Sequence, residues 1–325
     1  MPRLGVIGNF VWDVIHGRDP KRAPVEEWGG ITYALSGLDA ALPNDWQIVP
    51  LVKVGADLWP RARQFLATLR RLAPDAAPIE VPYPNNRVRL EYTTDERRSE
   101  ILSGGVPPWT WLGLRPLLRG LDALYVNLIS GFELDLETLQ LVRQHFQGPL
   151  YLDLHSLLLG LESDGTRTPR YLDNAEAWCA CGDLLQVNEA EMAMMAPDPM
   201  ALAATALGAG VRALHVTLGK RGVVYFTVPG FERLSDLRRA VAAAPLAGTV
   251  GAVRTALAPA VRAATDPGDP TGCGDVFGAT HFSRLLAGDN FADALHAALR
   301  AAARNVEYRG ATGLASFLRG ELLST

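Results

Sequence analysis

Cysteine is scarce in this 325-residue chain, and the three that occur, Cys179, Cys181 and Cys273, lack the paired C-x-x-C spacing of a zinc site. A sparse, odd set of cysteines also excludes a disulfide scaffold and is typical of a reducing cytoplasm. Blocks of basic residues are missing too, and the 31 Lys and Arg are outnumbered by 35 Asp and Glu. We therefore expect no nucleic-acid partner.

Long apolar runs are also absent. Residues 4–15 are apolar but include Asn9 and Asp13 and no small-residue cleavage pattern, so they do not predict a secretory signal. The Ala-rich residues 240–264 are interrupted by two prolines and two arginines, which excludes a membrane span. We expect a cytoplasmic protein without a membrane partner. Its 48% hydrophobic content is enough for a large core.

Short apolar strands alternate with helical segments along most of the chain. Strands are predicted at residues 4–7, 48–54, 121–128, 149–154, 184–187 and 214–218, and helices at residues 57–69, 135–146, 189–207, 272–286 and 291–306. Such alternation predicts an α/β fold with a mostly parallel sheet covered by helices on both faces. Residues 16–28 and 78–103 are predicted to form a small β-rich lid within a single domain, 1–325. Residues 240–264 stay unassigned.

The clearest chemical signal is a glycine turn that enters a helix, Asp269-Pro270-Thr271-Gly272-Cys273-Gly274-Asp275. Gly272 and Gly274 permit a tight turn whose N–H groups, with that of Cys273, can approach an oxyanion at the positive end of the helix. Asp275 would then lie beside the anion, placed as a general base. Taken alone, the pattern is equally well explained as an ordinary strand-to-helix turn with Asp275 as a helix-start residue.

Residues 269–278, DPTGCGDVFG, resemble the carboxyl-terminal signature of the ribokinase-like (PfkB) carbohydrate and nucleoside kinases, Asp-Thr-x-Gly-Ala-Gly-Asp followed by one residue and Phe. Pro270 and Cys273 replace the Thr and the Ala. The resemblance implies a ribokinase-like three-layer sandwich and ATP as the donor for a hydroxyl of a small sugar-like or nucleoside substrate. It further implies Mg²⁺, a monovalent cation (K⁺) at Asp269, and homodimers formed through the lids.

Two more motifs follow the order found in that family. Asn188 and Glu191 resemble its Asn-x-x-Glu motif, which organises Mg²⁺ and its waters; the alternative is a helix N-cap completed by a capping box. Thr217, Gly219 and Gly222 resemble its Thr-x-Gly-x-x-Gly turn beside ATP. A strand that ends in glycines exposes its backbone to a nucleotide at the carboxyl edge of a parallel sheet.

The substrate end of the family is matched by Asp13, after the first strand, and by Gly29 and Gly30, at the start of the first long helix. There the carboxylate accepts hydrogen bonds from the acceptor's hydroxyls. Glu133 follows another strand and is a further candidate for contact with the acceptor.

Aromatic residues near this end bear on the choice of acceptor. Phe10, Trp12 and Tyr33 would favour a nucleoside or modified sugar if they stack on a base, but such residues more commonly belong to the core. His155 is either a base or a structural residue.

Two other functions remain open at this stage. One is a non-catalytic nucleotide- or metabolite-binding protein with the same fold. The other is an NAD-binding Rossmann protein, which ranks last because no G-x-G-x-x-G follows the first strand.

Overall fold

A computed structural model describes residues 1–16, 23–92, 98–237, 253–264 and 268–322. Its strands are β1 (Arg3–Ile7), β2 (Phe10–His16), β3 (Val25–Gly30), β4 (Gln47–Leu51), β5 (Lys53–Gly55), β6 (Ile79–Val81), β7 (Arg87–Tyr92), β8 (Arg98–Ser103), β9 (Ala123–Asn127), β10 (Leu150–Asp153), β11 (Leu159–Leu161), β12 (Arg167–Pro169), β13 (Leu184–Asn188), β14 (Ala213–Thr217), β15 (Val223–Thr227) and β16 (Arg254–Ala258).

The helices alternate with these strands. They are α1 (Ile31–Ala41), α2 (Trp59–Leu66), α3 (Trp111–Leu114), α4 (Leu136–His145), α5 (Ala175–Cys179), α6 (Glu189–Ala193), α7 (Pro199–Gly208), α8 (Cys273–Leu286), α9 (Phe291–Val306) and α10 (Leu314–Leu318), with 3₁₀ turns at His155–Leu158 and Gly219–Arg221. In the described ranges, no helix combines the length and the apolar character needed to cross a bilayer.

An eight-stranded sheet forms the centre, in the order β16-β15-β14-β13-β10-β9-β1-β4. The six strands from β14 to β4 are parallel, and β15 and β16 continue the sheet antiparallel. The predicted α/β fold with a mostly parallel sheet is therefore confirmed. Because parallel strands end at one edge, the polar residues that finish β9, β10, β13 and β14 assemble there.

Two apolar cores lie on opposite faces of this sheet. Tyr125 and Tyr151 belong to one core, together with α1, α8 and α9, while their strand neighbours Leu124 and Leu152 belong to the other, together with α4 and α7. Successive side chains of a strand point to opposite faces, so each buried strand contributes to both cores. This accounts for the continuous apolar strands in the sequence and for the three layers.

The lid is a four-stranded sheet in the order β3-β2-β7-β8. Its bounds differ from the prediction. The first lid strand begins at Phe10 rather than near residue 16, and Ile79–Val81 pairs with β5 outside the lid. The lid sheet is mixed, because β2 and β7 run parallel. Alternation of polar and apolar residues identified the strands but could not determine their partners or directions.

Two predicted elements are divided in the structure. The strand predicted at residues 48–54 breaks at Val52 into β4 and β5, and the helix predicted at residues 189–207 breaks before Asp198, whose side chain caps α7. Pro199 at the first position of α7 explains the second break, because proline favours a helix start and disfavours its interior.

The helix predicted to begin at residue 57 begins at Trp59, and Asp57 does not cap it. Its carboxylate instead accepts the Asn85 N–H and pairs with Arg87 at 2.8 Å, and α2 begins at Trp59. Of the unassigned residues 240–264, those from 253 onward are described, and they include β16 at the sheet edge.

Candidate active site

Helix α8 begins at the glycine turn and has no side-chain cap. Gly272 has a left-handed backbone with φ of 73°, and a Cβ there would lie 2.1 Å from Cδ1 of Tyr33. Only glycine fits this position. The Cys273 N–H donates to the Pro270 carbonyl at 3.2 Å, which leaves the next two amides, those of Gly274 and Asp275, at the positive end of the helix.

Proline is compatible with the turn because a neighbouring side chain holds the backbone around it. Oδ1 of Asp269 accepts the Thr271 N–H at 2.9 Å, across Pro270. Nδ2 of Asn305 donates to the Thr271 carbonyl at 2.7 Å and fastens the turn to α9. The substitution of Thr by Pro in the signature therefore leaves a well-bonded turn.

The thiol of Cys273 lies on the far side of this turn. It is 3.3 Å from Nδ2 of Asn305 and 3.5 Å from the Ala302 carbonyl, both on α9. Burial raises the pKa of this thiol to about 11, so it stays protonated at neutral pH. Position 273 therefore requires only that its side chain be small.

Asp275 lies in the first turn of α8 with only 6% of its surface exposed. Its Oδ1 accepts a 2.6 Å hydrogen bond from Nδ2 of Asn127, at the end of β9. Burial raises the pKa of Asp275, while His155 and the bond from Asn127 act in the opposite direction. The result is a buried, oriented carboxylate beside free helix amides, which is suited to accepting a proton next to an anion.

Asn127 and Gln186 are two site residues that the sequence analysis missed. Nε2 of Gln186 donates to Oδ2 of Asp153 at 2.9 Å and to the Gly274 carbonyl at 3.0 Å, so it ties β10 and β13 to the glycine turn. A Cβ at Gly278 would lie 2.7 Å from Oε1 of Gln186. The available signal was an amide residue within a mainly apolar strand, Asn127 in Leu-Tyr-Val-Asn and Gln186 in Leu-Leu-Gln-Val-Asn.

His155 follows β10 and faces the acidic groups of the site. Its backbone is left-handed, with φ of 37°, and its Nδ1 lies 2.9 Å from Oγ of Ser156. Burial alone would lower the pKa of His155, but the charges of Asp275, Glu191 and Asp153 outweigh it and raise the pKa. A strained non-glycine backbone at such a place is common in functional sites.

The donor-side motifs are adjacent in the sheet, because Asn188 and Thr217 are paired residues of β13 and β14. Asn188 and Glu191 form a capping box, in which the Asn188 N–H donates to Glu191 at 2.7 Å and the Glu191 N–H donates to Asn188 at 2.9 Å. The helix N-cap with a capping box, which was the alternative to a role in Mg²⁺ binding, is therefore present in the structure. Gly219 and Gly222 have φ of 56° and 104°, as the predicted turn requires.

The residues around Glu191 fit a water-mediated Mg²⁺ but not a directly bound metal. Within the described part of the chain, no group of three or more His, Cys, Asp or Glu side chains could hold an ion. Burial raises the pKa of Glu191, His155 and the Asn188 N–H lower it, and the negative charge of Asp275 raises it. A cation nearby would therefore be favoured by the charge of these carboxylates.

The predicted monovalent-cation site fits less well. The carboxylate of Asp269 accepts the Thr271 N–H, and the Thr271 carbonyl accepts a bond from Asn305. One oxygen of the predicted ligand Asp269 is thus held by a protein donor, and we derive no step through K⁺.

At the acceptor side, the carboxylate of Asp13 fills the space next to Gly29, where a Cβ would lie 2.0 Å from Oδ2. Gly30 has φ of 62° and immediately precedes α1. Glu133 is 1% exposed, and its two oxygens accept the N–H groups of Ser130 and Gly131 at 2.6 and 3.0 Å. It stabilises its own turn, and its contact with the acceptor stays a prediction.

The aromatic residues near Asp13 belong to the core. Phe10 and Trp12 pack edge-to-face on Trp28, with ring centroids 5.2 and 5.0 Å apart. Since side chains alternate along β2, these rings lie on the face opposite Asp13. Tyr33 is also buried, beneath Gly272. Of the two alternatives that the sequence left open for Phe10 and Trp12, the structure supports the core, where both side chains are buried.

Known proteins resemble this chain in sequence and in fold. Residues 163–316 match the family model described as pfkB family carbohydrate kinase. The matched part contains the glycine turn and both donor-side motifs. No curated protein sequence matched the chain.

Several solved structures share the fold over nearly the whole chain. A nucleoside kinase of Burkholderia thailandensis in complex with inosine has 17% identity and a TM-score of 0.66, covering 98% of this chain and 95% of its own. A pyrophosphate-dependent kinase in the ribokinase family, complexed with a pyrophosphate analog and myo-inositol, has 14% identity and a TM-score of 0.71, with 98% and 99% covered.

Arabidopsis thaliana ribokinase complexed with ribose and ATP has 16% identity and a TM-score of 0.64, covering 96% of this chain and 95% of its own. Together with the family match, these structures confirm the predicted resemblance to the ribokinase-like (PfkB) family and its fold.

Proposed function

Proceeding from this family resemblance, we propose that the protein transfers the γ-phosphoryl group of ATP to a hydroxyl of a small sugar-like or nucleoside substrate. The observation that carries the proposal is the position of Asp275, a buried carboxylate hydrogen-bonded to Asn127 beside the uncapped amides of α8. Phosphoryl transfer needs little more from a protein than positioning, charge stabilisation and a proton acceptor.

In the proposed step, the acceptor hydroxyl oxygen forms a bond to the γ-phosphorus as the bond from phosphorus to the leaving oxygen of ADP breaks. The hydroxyl proton moves to Asp275. The N–H groups of Gly274 and Asp275, at the positive end of α8, stabilise the charge on the transferring group, whereas the Cys273 N–H is held by the Pro270 carbonyl. Asp13, with Gly29 and Gly30 beside it, orients the acceptor.

The donor would lie over the carboxyl edge of the sheet, against Thr217, Gly219 and Gly222. Mg²⁺, when bound, would neutralise phosphate charge, and Glu191 would hold it through water. The lid would exclude water, because an open site would hydrolyse the donor. Homodimers and a cytoplasmic location remain predictions.

A donor and acceptor matrix tests the proposal. The purified protein would be incubated with Mg²⁺, with ATP or pyrophosphate as donor, and with ribose, myo-inositol or inosine as acceptor, and the products followed by phosphorus NMR. We expect an ester on a hydroxyl with ATP and a much slower reaction with pyrophosphate. Binding of ATP without any phosphorylated product would favour the non-catalytic alternative, and a product with pyrophosphate alone would contradict the choice of donor.

A further inference from the structure

The side-chain amide of Gln186 lies where strands β10 and β13 meet the start of α8, and it is 3% exposed. Its Nε2 donates to Oδ2 of Asp153 at 2.9 Å and to the Gly274 carbonyl at 3.0 Å, and its Oε1 accepts a 2.8 Å bond from the Tyr151 hydroxyl. Two acceptors face one end of the amide and a hydroxyl faces the other, which fixes its orientation. Both N–H groups of the amide are therefore used within the protein.

Helix α8 approaches this amide more closely than a side chain at position 278 would allow. A Cβ at Gly278 would lie 2.7 Å from Oε1 of Gln186 and 2.8 Å from the hydroxyl of Tyr125. Gly278 is one helical turn beyond Gly274 and lies on the same face of α8, which is turned to the sheet. As a partner for Asp153 alone, Gln186 would need no such approach. The close packing of α8 on the sheet instead supports the bond from Gln186 to the glycine turn.

The bond to Gly274 acts on the anion site through a single peptide group. In a trans peptide the C=O of one residue and the N–H of the next point in opposite directions. The Gly274 carbonyl, held by Gln186, therefore directs the Asp275 N–H out of the start of α8, where it is one of the two amides left at the positive end. A hydrogen bond at the carbonyl also polarises the N–H of the same peptide.

This peptide needs a restraint from outside the turn. Glycine has the least restricted backbone of all residues, and a Cβ at Gly274 would meet nothing nearer than Nε2 of Gln186 at 3.7 Å. Packing around position 274 thus does not fix the direction of the peptide that follows it. The hydrogen bond from Gln186 supplies that direction.

We propose that Gln186 is a positioning residue whose bond to the Gly274 carbonyl orients the Asp275 N–H toward the terminal phosphate of the donor. This inference rests on the proposed function and adds a residue of β13 to the control of the anion site. Gln186 itself contacts neither donor nor acceptor, because both its N–H groups and its carbonyl have protein partners. Its effect is therefore confined to ligands that reach the anion site, unlike the effect of a residue needed only for folding.

Direct binding of two nucleotides that differ by the terminal phosphate tests the proposal without depending on turnover. The probes are ADP and a non-hydrolysable ATP analogue, measured by calorimetry with Mg²⁺ on the wild-type protein and on Gln186→Met, which keeps the length of the side chain but removes both donors. In Gln186→Met the Kd of the analogue should rise about tenfold, and the Kd of ADP should stay within about twofold of wild type. The kcat with ATP should fall at least about tenfold, because a misdirected amide stabilises the transition state less.

Two control variants separate positioning from general effects. Leu185→Val weakens the same strand from its opposite face, where Leu185 is fully buried, and should bind both probes as wild type does. Gln144→Met makes the same substitution at an exposed position of α4. If Gln186→Met fails to fold, Gln186→Asn withdraws the amide by one methylene and should show the same loss of analogue binding.

The possible outcomes distinguish this inference from the proposed function. Equal loss of both probes in Gln186→Met, or unchanged binding of the analogue, would overturn the positioning role and leave the proposed function standing. The predicted loss of analogue binding, with no phosphorylated product from the wild-type protein and any acceptor, would uphold the role and refute the phosphotransferase. Binding of neither probe by the wild-type protein would overturn both.

Discussion

Nδ2 of Asn127 donates a 2.6 Å hydrogen bond to Oδ1 of Asp275, which lies 148 positions further along the chain. The bond joins the end of a central strand to the first turn of α8 and fixes the carboxylate toward the sheet edge. It also favours the ionised form of Asp275 against the effect of burial. The orientation and the ionisation of Asp275, the proposed base, thus both depend on the side-chain amide of Asn127.

Replacement of Asn127 by Ala should raise the pKa of Asp275, because a bond to the charged form is lost. A base acts when deprotonated, so the acid limb of the kcat/KM profile should move upward by about one pH unit. The measurement is the pH profile of the variant against wild type. Asn44→Ala, at an exposed position, is the control. An acid limb that does not move in Asn127→Ala would contradict the dependence of the Asp275 pKa on Asn127.

Alanine at the two turn glycines should have separable effects. Gly272→Ala places a side chain in a left-handed backbone and against Tyr33, so we expect a loss of at least about 1–2 kcal/mol of unfolding free energy. At Gly274 the nearest atom to a Cβ is Nε2 of Gln186 at 3.7 Å, so Gly274→Ala should fold normally.

The new methyl at position 274 would instead obstruct the anion site, and the KM for the donor should rise at least about tenfold. Urea unfolding and donor KM, measured on both variants, separate the two effects. Normal donor binding by a stable Gly274→Ala protein would contradict the position assigned to the phosphate.

Gly29 tests the position of Asp13. A methyl at Gly29 would strike the carboxylate of Asp13, so Gly29→Ala should raise the acceptor KM by at least about tenfold and leave the donor KM unchanged. Gly105→Ala is a matched control, because its Cβ would meet nothing nearer than 3.6 Å. An unchanged acceptor KM in Gly29→Ala would place the acceptor elsewhere.

Acid should destabilise the fold through a buried histidine under α8. His215 is fully buried, its ring nitrogens lack hydrogen-bond partners in the described chain, and its ring contacts those of His281 and Phe291. Burial lowers its pKa to about 4. The unfolded chain takes up a proton below about pH 6.5 and the folded chain does not, so stability present above pH 6.5 is lost as the pH falls toward 4.

Between pH 7 and pH 5 the contribution of His215 amounts to about 2 kcal/mol of unfolding free energy. His215→Leu should reduce the pH dependence by that amount, as measured by urea unfolding at both pH values. The exposed His296→Leu is the control. Equal pH dependence in wild type and His215→Leu would show that His215 is protonated or hydrated in the native state.

Much of the fold could be predicted because it depends on local patterns. The run Phe291–Val306 has helical periodicity from its first residue to its last, and its predicted bounds coincide with α9. Asp135 was predicted to start α4, and its side chain caps that helix. Glycine positions fixed the entry into α8, since only glycine fits the backbone at position 272.

The remaining features depend on contacts between distant segments. Asn127 and Gln186 were missed for this reason, since each is an amide in a mainly apolar strand until its partner across the sheet edge is known. The place of the aromatic residues of β2 stayed open in the sequence, because a sequence gives the alternation of side chains along a strand but not which face is buried.

The central claim is that Asp275 accepts the acceptor's proton beside an anion held by the helix amides. The most direct test is the single-turnover rate of Asp275→Asn with donor and acceptor at saturation, alongside the exposed control Asp45→Asn. We predict a rate about a thousandfold lower than wild type with the donor Kd unchanged, and a wild-type rate for the control. A rate for Asp275→Asn within a few-fold of wild type would contradict the account.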